Sequence, residues 1–317
     1  MIYTAENYNY ERVKNTKFQP KPRGNQSGRD KLYYKDLICA FDIETTRITE
    51  IEQSIMYVWQ FAILFPGENN DIDIIMGRTW DEYKLFMQNM YNSLRLDEKL
   101  CIWVHNLSYE FQFLAGIYNF DRDQVFAIER RKVLKCTQNE GRIEYRCSYI
   151  HSNMSLAEYT HKMGVDHGKI VNEFDYAKKR YPWTELSDRE KEYCINDVVG
   201  LVEALKKEME IDGDNLYTIP LTSTGYVRRD AKRAMKKYNY AEFKEMKPTL
   251  ELWEICRAAF RGGNTHANRF YADRIIKNVN SYDRSSSYPD VICNCKFPMT
   301  PFVKIEQPTN QKLIDYM

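Results

Sequence analysis

Leu37-Ile38-Cys39-Ala40-Phe41-Asp42-Ile43-Glu44-Thr45-Thr46 is the stretch on which the reading of this chain turns. Its first five residues form an unbroken apolar run, the pattern of a buried strand. Two carboxylates follow directly at the strand's end, one residue apart. Residues two apart in a strand point the same way, so Asp42 and Glu44 present their charges to one point beside a sheet. Carboxylates so close repel unless a cation lies between them. Hard divalent ions held by oxygen ligands suit hydrolysis of a phosphodiester. Alone, D-x-E occurs by chance in many proteins; behind a buried strand it is more informative.

Outward from this point the pattern is α/β. Residues 56–65 read as a second strand, and a turn at Pro66-Gly67-Glu68-Asn69-Asn70 leads to a third at 72–76. A helix is expected over 80–94 and a buried strand over 100–104. The next helix carries Leu107, Phe111, Leu114 and Tyr118 at helical spacing. Strands alternating with helices argue an α/β domain. Ser187-Asp188-Arg189-Glu190 is a capping box opening a helix whose apolar face includes Val198, Leu201, Val202 and Leu205. Composition shifts near Asp212-Gly213-Asp214-Asn215, so the α/β domain is set at 36–215 and a second region at 216–317. That region reads as a basic helix over 227–240, a helix from Thr249, a Gly-Gly loop and a strand-like closing segment.

Residues 1–35, with Pro20, Pro22, Gly24 and Gly28, read as an irregular basic arm. From Glu11 to Lys35 eight basic residues face two acidic ones, a local net charge of 8 − 2 = +6 on a chain whose total is +1. Such a run either binds phosphates or is a solvated face; the overall charge identifies no partner. Eight cysteines without a C-x-x-C pair fit ordinary reduced thiols. The chain starts without a basic segment leading into an apolar run, so no signal peptide is expected. Its most apolar stretch, 55–66, is interrupted by Gln60 and is too short to span a bilayer. A soluble, cytoplasmic protein is expected, in the host's cytoplasm if viral, with no membrane partner.

Two further constellations bear on chemistry. His105, Asn106 and Glu110 lie at and just past the junction between the strand at 100–104 and its helix, and Asn106 and Glu110 share a helical face. The bland alternative makes Asn106 an N-cap and Glu110 a solvated residue. Tyr193-x-x-x-Asp197 lies on the capped helix, both side chains bordering its apolar stripe. A carboxylate there needs a partner, which a metal or a nearby lysine would supply.

Together, D-x-E, N-x-x-x-[D/E] and Y-x-x-x-D resemble the DEDDy class of proofreading exonucleases, which have a ribonuclease H-like fold. Phe41-Asp42-Ile43-Glu44-Thr45-Thr46, His105-Asn106-Leu107-Ser108-Tyr109-Glu110 and Tyr193-Cys194-Ile195-Asn196-Asp197 are similar to the three exonuclease motifs of phage-type, protein-primed family B DNA polymerases. Glu110 departs from the family's usual Asp. The resemblance also implies a single-stranded DNA element at Ser155-Leu156-Ala157-Glu158-Tyr159 and a catalytic lysine, best matched by Lys178.

Further on, Phe260-Arg261-Gly262-Gly263 resembles the Tyr-x-Gly-Gly loop that joins exonuclease and polymerase domains, with Phe260 in place of tyrosine. The resemblance makes Arg261, Gly262 and Gly263 DNA contacts, the glycines letting the backbone approach a phosphate. Asp283-Arg284-Ser285-Ser286-Ser287-Tyr288-Pro289 resembles the first palm motif, with Ser287 in place of leucine. It implies metal binding by Asp283 and nucleotide binding by Ser286 and Tyr288. No D-T-D motif occurs, and the chain stops 28 residues after Pro289. It is therefore expected not to polymerise DNA by itself, as a truncated product or one piece of a split polymerase.

The fold expected is α/β: a ribonuclease H-like DEDDy exonuclease domain followed by the truncated beginning of a family B palm. The resemblance implies removal of 3′-terminal nucleotides from DNA. Asp42, Glu44, Glu110 and Asp197 would hold two ions, Mg²⁺ or Mn²⁺. Tyr193 would orient water, Lys178 would offset negative charge, and Thr45, His105, Asn106, Tyr109, Ser155 and Leu156 would grip DNA. Implied partners are single-stranded 3′ ends, primer-template DNA, a terminal protein as primer, and a second polypeptide carrying the remaining polymerase motifs. The competing readings are an inactive DNA-binding fragment and a stand-alone exoribonuclease.

Overall fold

The computed structural model describes residues 2–22, 32–67, 69–168, 178–260, 266, 268–297, 300 and 309–311. In chain order the first compact unit, Met1–Arg228, carries β1 (Ile2–Tyr3), α1 (Glu11–Asn15), β2 (Tyr33–Tyr34), β3 (Ile38–Ile48), β4 (Gln53–Leu64), β5 (Ile72–Gly77), α2 (Trp80–Asn92), β6 (Glu98–Val104) and α3 (Leu107–Ile117). It continues through β7 (Val125–Ala127), β8 (Val133–Gln138), β9 (Ile143–Cys147), α4 (Ser148–Ser152), α5 (Leu156–Met163) and α6 (Asp188–Asp212). The strands form one sheet in the order β1-β5-β4-β3-β6-β9-β8-β7, with β2 added beside β6. β3 and β4 are antiparallel, whereas β3, β6 and β9 run parallel.

Alternation along β3 distributes the core. Cys39, Phe41 and Ile43 join one cluster with Tyr83, Phe86 and Met90 of α2 and Leu107 and Leu114 of α3. Ile38 and Ala40 face the other way, into a cluster with Leu156 and Tyr159 of α5 and Val198, Leu201, Val202 and Leu205 of α6. Asp42 and Glu44 continue the parity of Ile38 and Ala40, which points them to the α6 side of the sheet. They lie in mid-strand rather than at its end, because β3 runs on to Ile48 against β4. A register shift between Glu44 and Thr45 puts a bulge in the ladder beside the carboxylates, where such irregularities re-aim side chains.

The expectation of an irregular arm is corrected for residues 2–22. Ala5, Tyr8 and Val13 are buried in the core, and β1 pairs with β5. Two of the basic residues serve the fold. Arg12 reaches Asp73 at 2.5 Å and Asp71 at 2.6 Å. Buried Lys35 donates to the carbonyls of Lys14 and Thr16 at 3.0 and 2.7 Å and pairs with Glu98 at 3.1 Å. The first unit also extends past Asn215, since Leu216 and Ile219 are buried in the α6-side cluster.

The second unit, Arg229–Met317, is built differently. The basic helix α7 (Ser223–Tyr238) enters it, and α8 (Tyr240–Glu245), α9 (Leu250–Ala259) and α10 (Ser287–Asn294) follow. The single basic helix expected over 227–240 is thus two, broken at Asn239. None of these four helices has a buried residue. Arg261, Gly262 and Gly263, and most of the closing segment, lie outside the described residues.

Candidate functional site

Packing on the sheet brings together side chains far apart in sequence. α6 runs antiparallel to β3, with Tyr193 and Cys194 against Tyr57 and Val58 of β4 and Met209 lining a pocket with Ile38 and Leu64. Between those ends Asp197 meets the paired carboxylates: one oxygen each of Asp42, Glu44 and Asp197 lies within 4.8 Å of the others. Asp197 is buried. Opposite Asp42 in the β4 register is Gln60, fully buried, whose Nε2 donates to Asp42 Oδ2 at 2.6 Å.

Glu110 closes the group. β6 lies parallel to β3 with Trp103 beside Ala40, so the chain leaves the sheet next to Asp42 and turns into α3. Asn106 makes that turn with a left-handed φ of 71° and does not cap the helix with its side chain. Glu110 is buried rather than solvated. Burial pushes its carboxyl well above the ordinary range, and the charges of Asp42 and Glu44 push the same way. Its Oε2 is buried without a hydrogen-bond partner. Burial and the charges of Glu44, Asp42 and Asp197 likewise push the Cys194 thiol well up. So much negative charge in a low-dielectric site is stable only with a counter-charge or a proton. The donors are all carboxylate oxygens, a set suited to hard divalent cations.

A cleft of about 430 Å³ is lined by His105 and Asn106, at the turn that leads into α3 and Glu110, with Tyr149, Ser155, Leu156 and Ala157. Four of the expected DNA contacts thus line one cavity. Of the others, Thr45 and Tyr109 are joined by a 2.5 Å hydrogen bond between their hydroxyls, and Arg261, Gly262 and Gly263 lie outside the described residues. Tyr149 escaped the sequence reading; it stands edge-on to His105, with ring centres 5.7 Å apart. Ser148 escaped it too, its Oγ lying 3.1 Å from His105 Nδ1. The signal for both was a strand ending at Cys147, and β9 was not recognised. Gln60 could have been found, as the one polar break in an apolar run. Ser155 has a structural duty: its Oγ accepts from the Glu158 amide at 3.3 Å, while Glu158 accepts from the Ser155 amide at 2.9 Å. S-x-x-E is the spacing of such a box.

Lys178 is engaged by Glu190, at 3.3 Å. Arg180 reaches the same carboxylate oxygen at 2.7 Å. Burial raises the Glu190 carboxyl, but the Ser187 amide and Arg180 outweigh it and hold it down at about 2. Residues 169–177, just before Lys178, lie outside the described residues. Tyr193 is buried four residues before Asp197 on α6. In the second unit Asp283 sits in an exposed stretch without regular structure, Ser286 takes a φ of 53° ahead of α10, and Tyr288 is exposed in that helix's first turn.

The mixed α/β fold resembles part of a solved DNA polymerase. The chain resembles phi29 DNA polymerase solved with single-stranded DNA, with TM-score 0.58 and 16% identity over 75% of this chain and 42% of that one. It also resembles the same polymerase with primer-template DNA and incoming nucleotide, with TM-score 0.55 and 16% identity over 75% of this chain and 41% of that one. The chain therefore spans about two fifths of the length of these structures. No curated protein matches it. Residues 122–317, more than half of the chain, match the family model for DNA polymerase type B, organellar and viral, and the chain belongs to that family. Membership implies divalent-metal chemistry. Asp197 lies within the matched residues, whereas Asp42, Glu44 and Glu110 precede them.

Proposed function

We propose that the first unit is a ribonuclease H-like 3′–5′ exonuclease acting on the single-stranded 3′ end of DNA. The observation that carries this reading is the convergence of Asp42, Glu44 and Asp197 within 4.8 Å, with buried Glu110 beside them. Two divalent ions, Mg²⁺ or Mn²⁺, held by these four residues would activate water and stabilise the departing 3′-oxygen. Gln60 fixes the Asp42 carboxylate through its 2.6 Å hydrogen bond. Tyr193 orients the water, and Lys178, released from Glu190, offsets charge on the phosphate. The cleft holds the terminal nucleotides: His105, Asn106 and Ser155 by polar contacts, Leu156 and Tyr149 by packing on a base. The Thr45–Tyr109 pair lines the approach.

The exonuclease occupies 36–215 extended through Leu216 and Ile219 to the end of the first unit, with residues 2–22 as part of its core. Residues 229–317 are the beginning of a family B polymerase palm, with Arg261, Gly262 and Gly263 on DNA, Asp283 as a metal ligand, and Ser286 and Tyr288 at the incoming nucleotide. Primer-template DNA is then a partner. Protein-primed initiation from a terminal protein is the mode that the motifs resemble, and polymerisation requires further motifs supplied by more polypeptide.

Digestion of a 5′-labelled single-stranded oligonucleotide, in Mg²⁺ or in EDTA and beside the Asp42→Ala variant, tests the reading. A metal-dependent ladder shrinking from the 3′ end, absent in the variant, is expected. Folded wild-type protein that leaves the oligonucleotide intact in both Mg²⁺ and Mn²⁺, while binding it, would point instead to a DNA-binding fragment.

A further inference from the structure

Between the residues outside the description and the start of α6, the chain holds two aromatic rings in parallel on its surface. Tyr181 and Trp183 stack with centroids 5.1 Å apart and planes 3° from parallel. The indole is 81% exposed, so one face rests on the tyrosine and the other meets solvent. An exposed tryptophan contributes little to folding, yet the backbone carrying it is firmly held. The Arg78 guanidinium donates to the carbonyls of Tyr181 and Thr184 at 3.0 and 2.7 Å, and to that of Tyr57 at 2.7 Å. The Tyr181 amide donates to Thr184 Oγ1 and the Thr184 amide to the Tyr181 carbonyl, each at 2.9 Å.

The same anchors tie this turn to the carboxylates. Tyr57 is the β4 residue displaced at the bulge beside Glu44 and Thr45. The Arg180 amide donates to Thr46 Oγ1 at 3.0 Å, two residues along β3 from Glu44. Half-exposed Lys178 and Lys179 precede the two rings in the chain and are paired with Glu190 at 3.3 Å and Glu50 at 3.0 Å, so a phosphate backbone would have to draw them from those carboxylates. A flat, rigidly backed ring open to solvent fits a nucleobase, since every base has a face to stack and the contact tolerates any sequence.

We propose that Tyr181 and Trp183 form a stacking platform for a base of single-stranded DNA upstream of the 3′ end held in the cleft. This rests on the exonuclease reading above. Trp183 is a positioning residue, and it touches none of the reacting atoms.

The test uses Trp183→Ala and Trp183→Phe in the full chain, with a fluorescein-labelled ten-residue thymidine oligonucleotide in EDTA. Binding is expected to weaken about tenfold in the alanine variant and to return largely in the phenylalanine variant. Adding unlabelled oligonucleotide should quench tryptophan fluorescence in wild type, and the quench should vanish with Trp183→Phe. In Mg²⁺, the KM for the ten-residue substrate should rise by the same factor with kcat unchanged. Hydrolysis of a thymidine dinucleotide, too short to reach both sites, should not change. Binding by Trp183→Ala equal to wild type would overturn the platform, as would an equal loss on the dinucleotide. If the wild type hydrolyses nothing, the exonuclease reading fails while the EDTA binding still decides on the platform.

Discussion

The two units of this chain carry similar local signals and treat them in opposite ways. In the first, Asp42 sits in mid-sheet, fixed by Gln60 and faced by Glu44, Asp197 and buried Glu110. In the second, Asp283 sits in an exposed stretch without regular structure, and no helix there buries a residue. The lesson concerns what turns a motif into a site. Residue types can be matched one stretch at a time, but convergence needs a core, and only the first unit builds one among the described residues. Trp253, Ile255, Phe260 and Ile275 of the second unit stand exposed instead.

The sharpest break in that comparison is functional. Asp42→Ala should lower 3′-end hydrolysis by at least ~10³-fold, because it removes a ligand from the centre of the charge cluster. Asp283→Ala should leave the same reaction unchanged. Single-turnover digestion of a labelled oligonucleotide compares the two, and equal losses would mean that the sites are not separable.

Next in size is the buried ion pair of the first unit. Glu144 and Arg146 meet at 2.5 Å, Tyr34 donates to Glu144 at 3.0 Å, and Arg146 donates to the Leu216 carbonyl at 2.9 Å. Removing one partner strands the other charge, so Arg146→Ala should cost ~3–5 kcal/mol in urea unfolding. Ile255→Ser, on a surface of the second unit, should shift stability by less than ~0.5 kcal/mol.

A pH titration reads the same pair more gently. Burial alone would raise the Glu144 carboxyl, but Arg146, then Lys135 and Lys99, outweigh it and hold it at about 2 against an ordinary 4.5. A carboxyl whose folded pKa is depressed adds stability above its unfolded pKa and loses it as pH falls toward the folded one. The first unit should therefore lose stability between about pH 4.5 and pH 2, followed by tyrosine fluorescence. Glu144→Gln should flatten that slope. A further effect on stability is expected at Gly200 of α6. Alanine there would normally favour a helix by ~1 kcal/mol, but its Cβ would meet the His167 carbonyl. Gly200→Ala should lower the melting temperature by a few degrees, and a rise would show that the contact yields.

Much of the architecture was legible because it depends on local periodicity. The apolar run at 37–41, the strands and helices read at 56–65, 72–76, 80–94 and 100–104, and the capping box at Ser187 correspond to β3, to β4, β5, α2 and β6, and to the start of α6, whereas the sheet order came only from the structure. The parity that aims Asp42 and Glu44 the same way follows from the pleat. Other features depended on partners distant in sequence, and periodicity cannot report those. β9 is buried along its whole length although two of its five residues are charged; Glu144 and Arg146 are tolerated because they neutralise each other and meet Tyr34 and Leu216. The basic N-terminal residues looked like a solvated arm until Asp73, Asp71 and Glu98 were found beside Arg12 and Lys35. Glu110 could be a solvated helix residue in the sequence and is buried in the structure, because β6 delivers α3 next to Asp42. The sequence by itself determined which residues could form strands, helices and paired carboxylates. Only the tertiary structure decided which charges were buried together, since the free energy of a charge depends on what surrounds it in space and not on its neighbours along the chain.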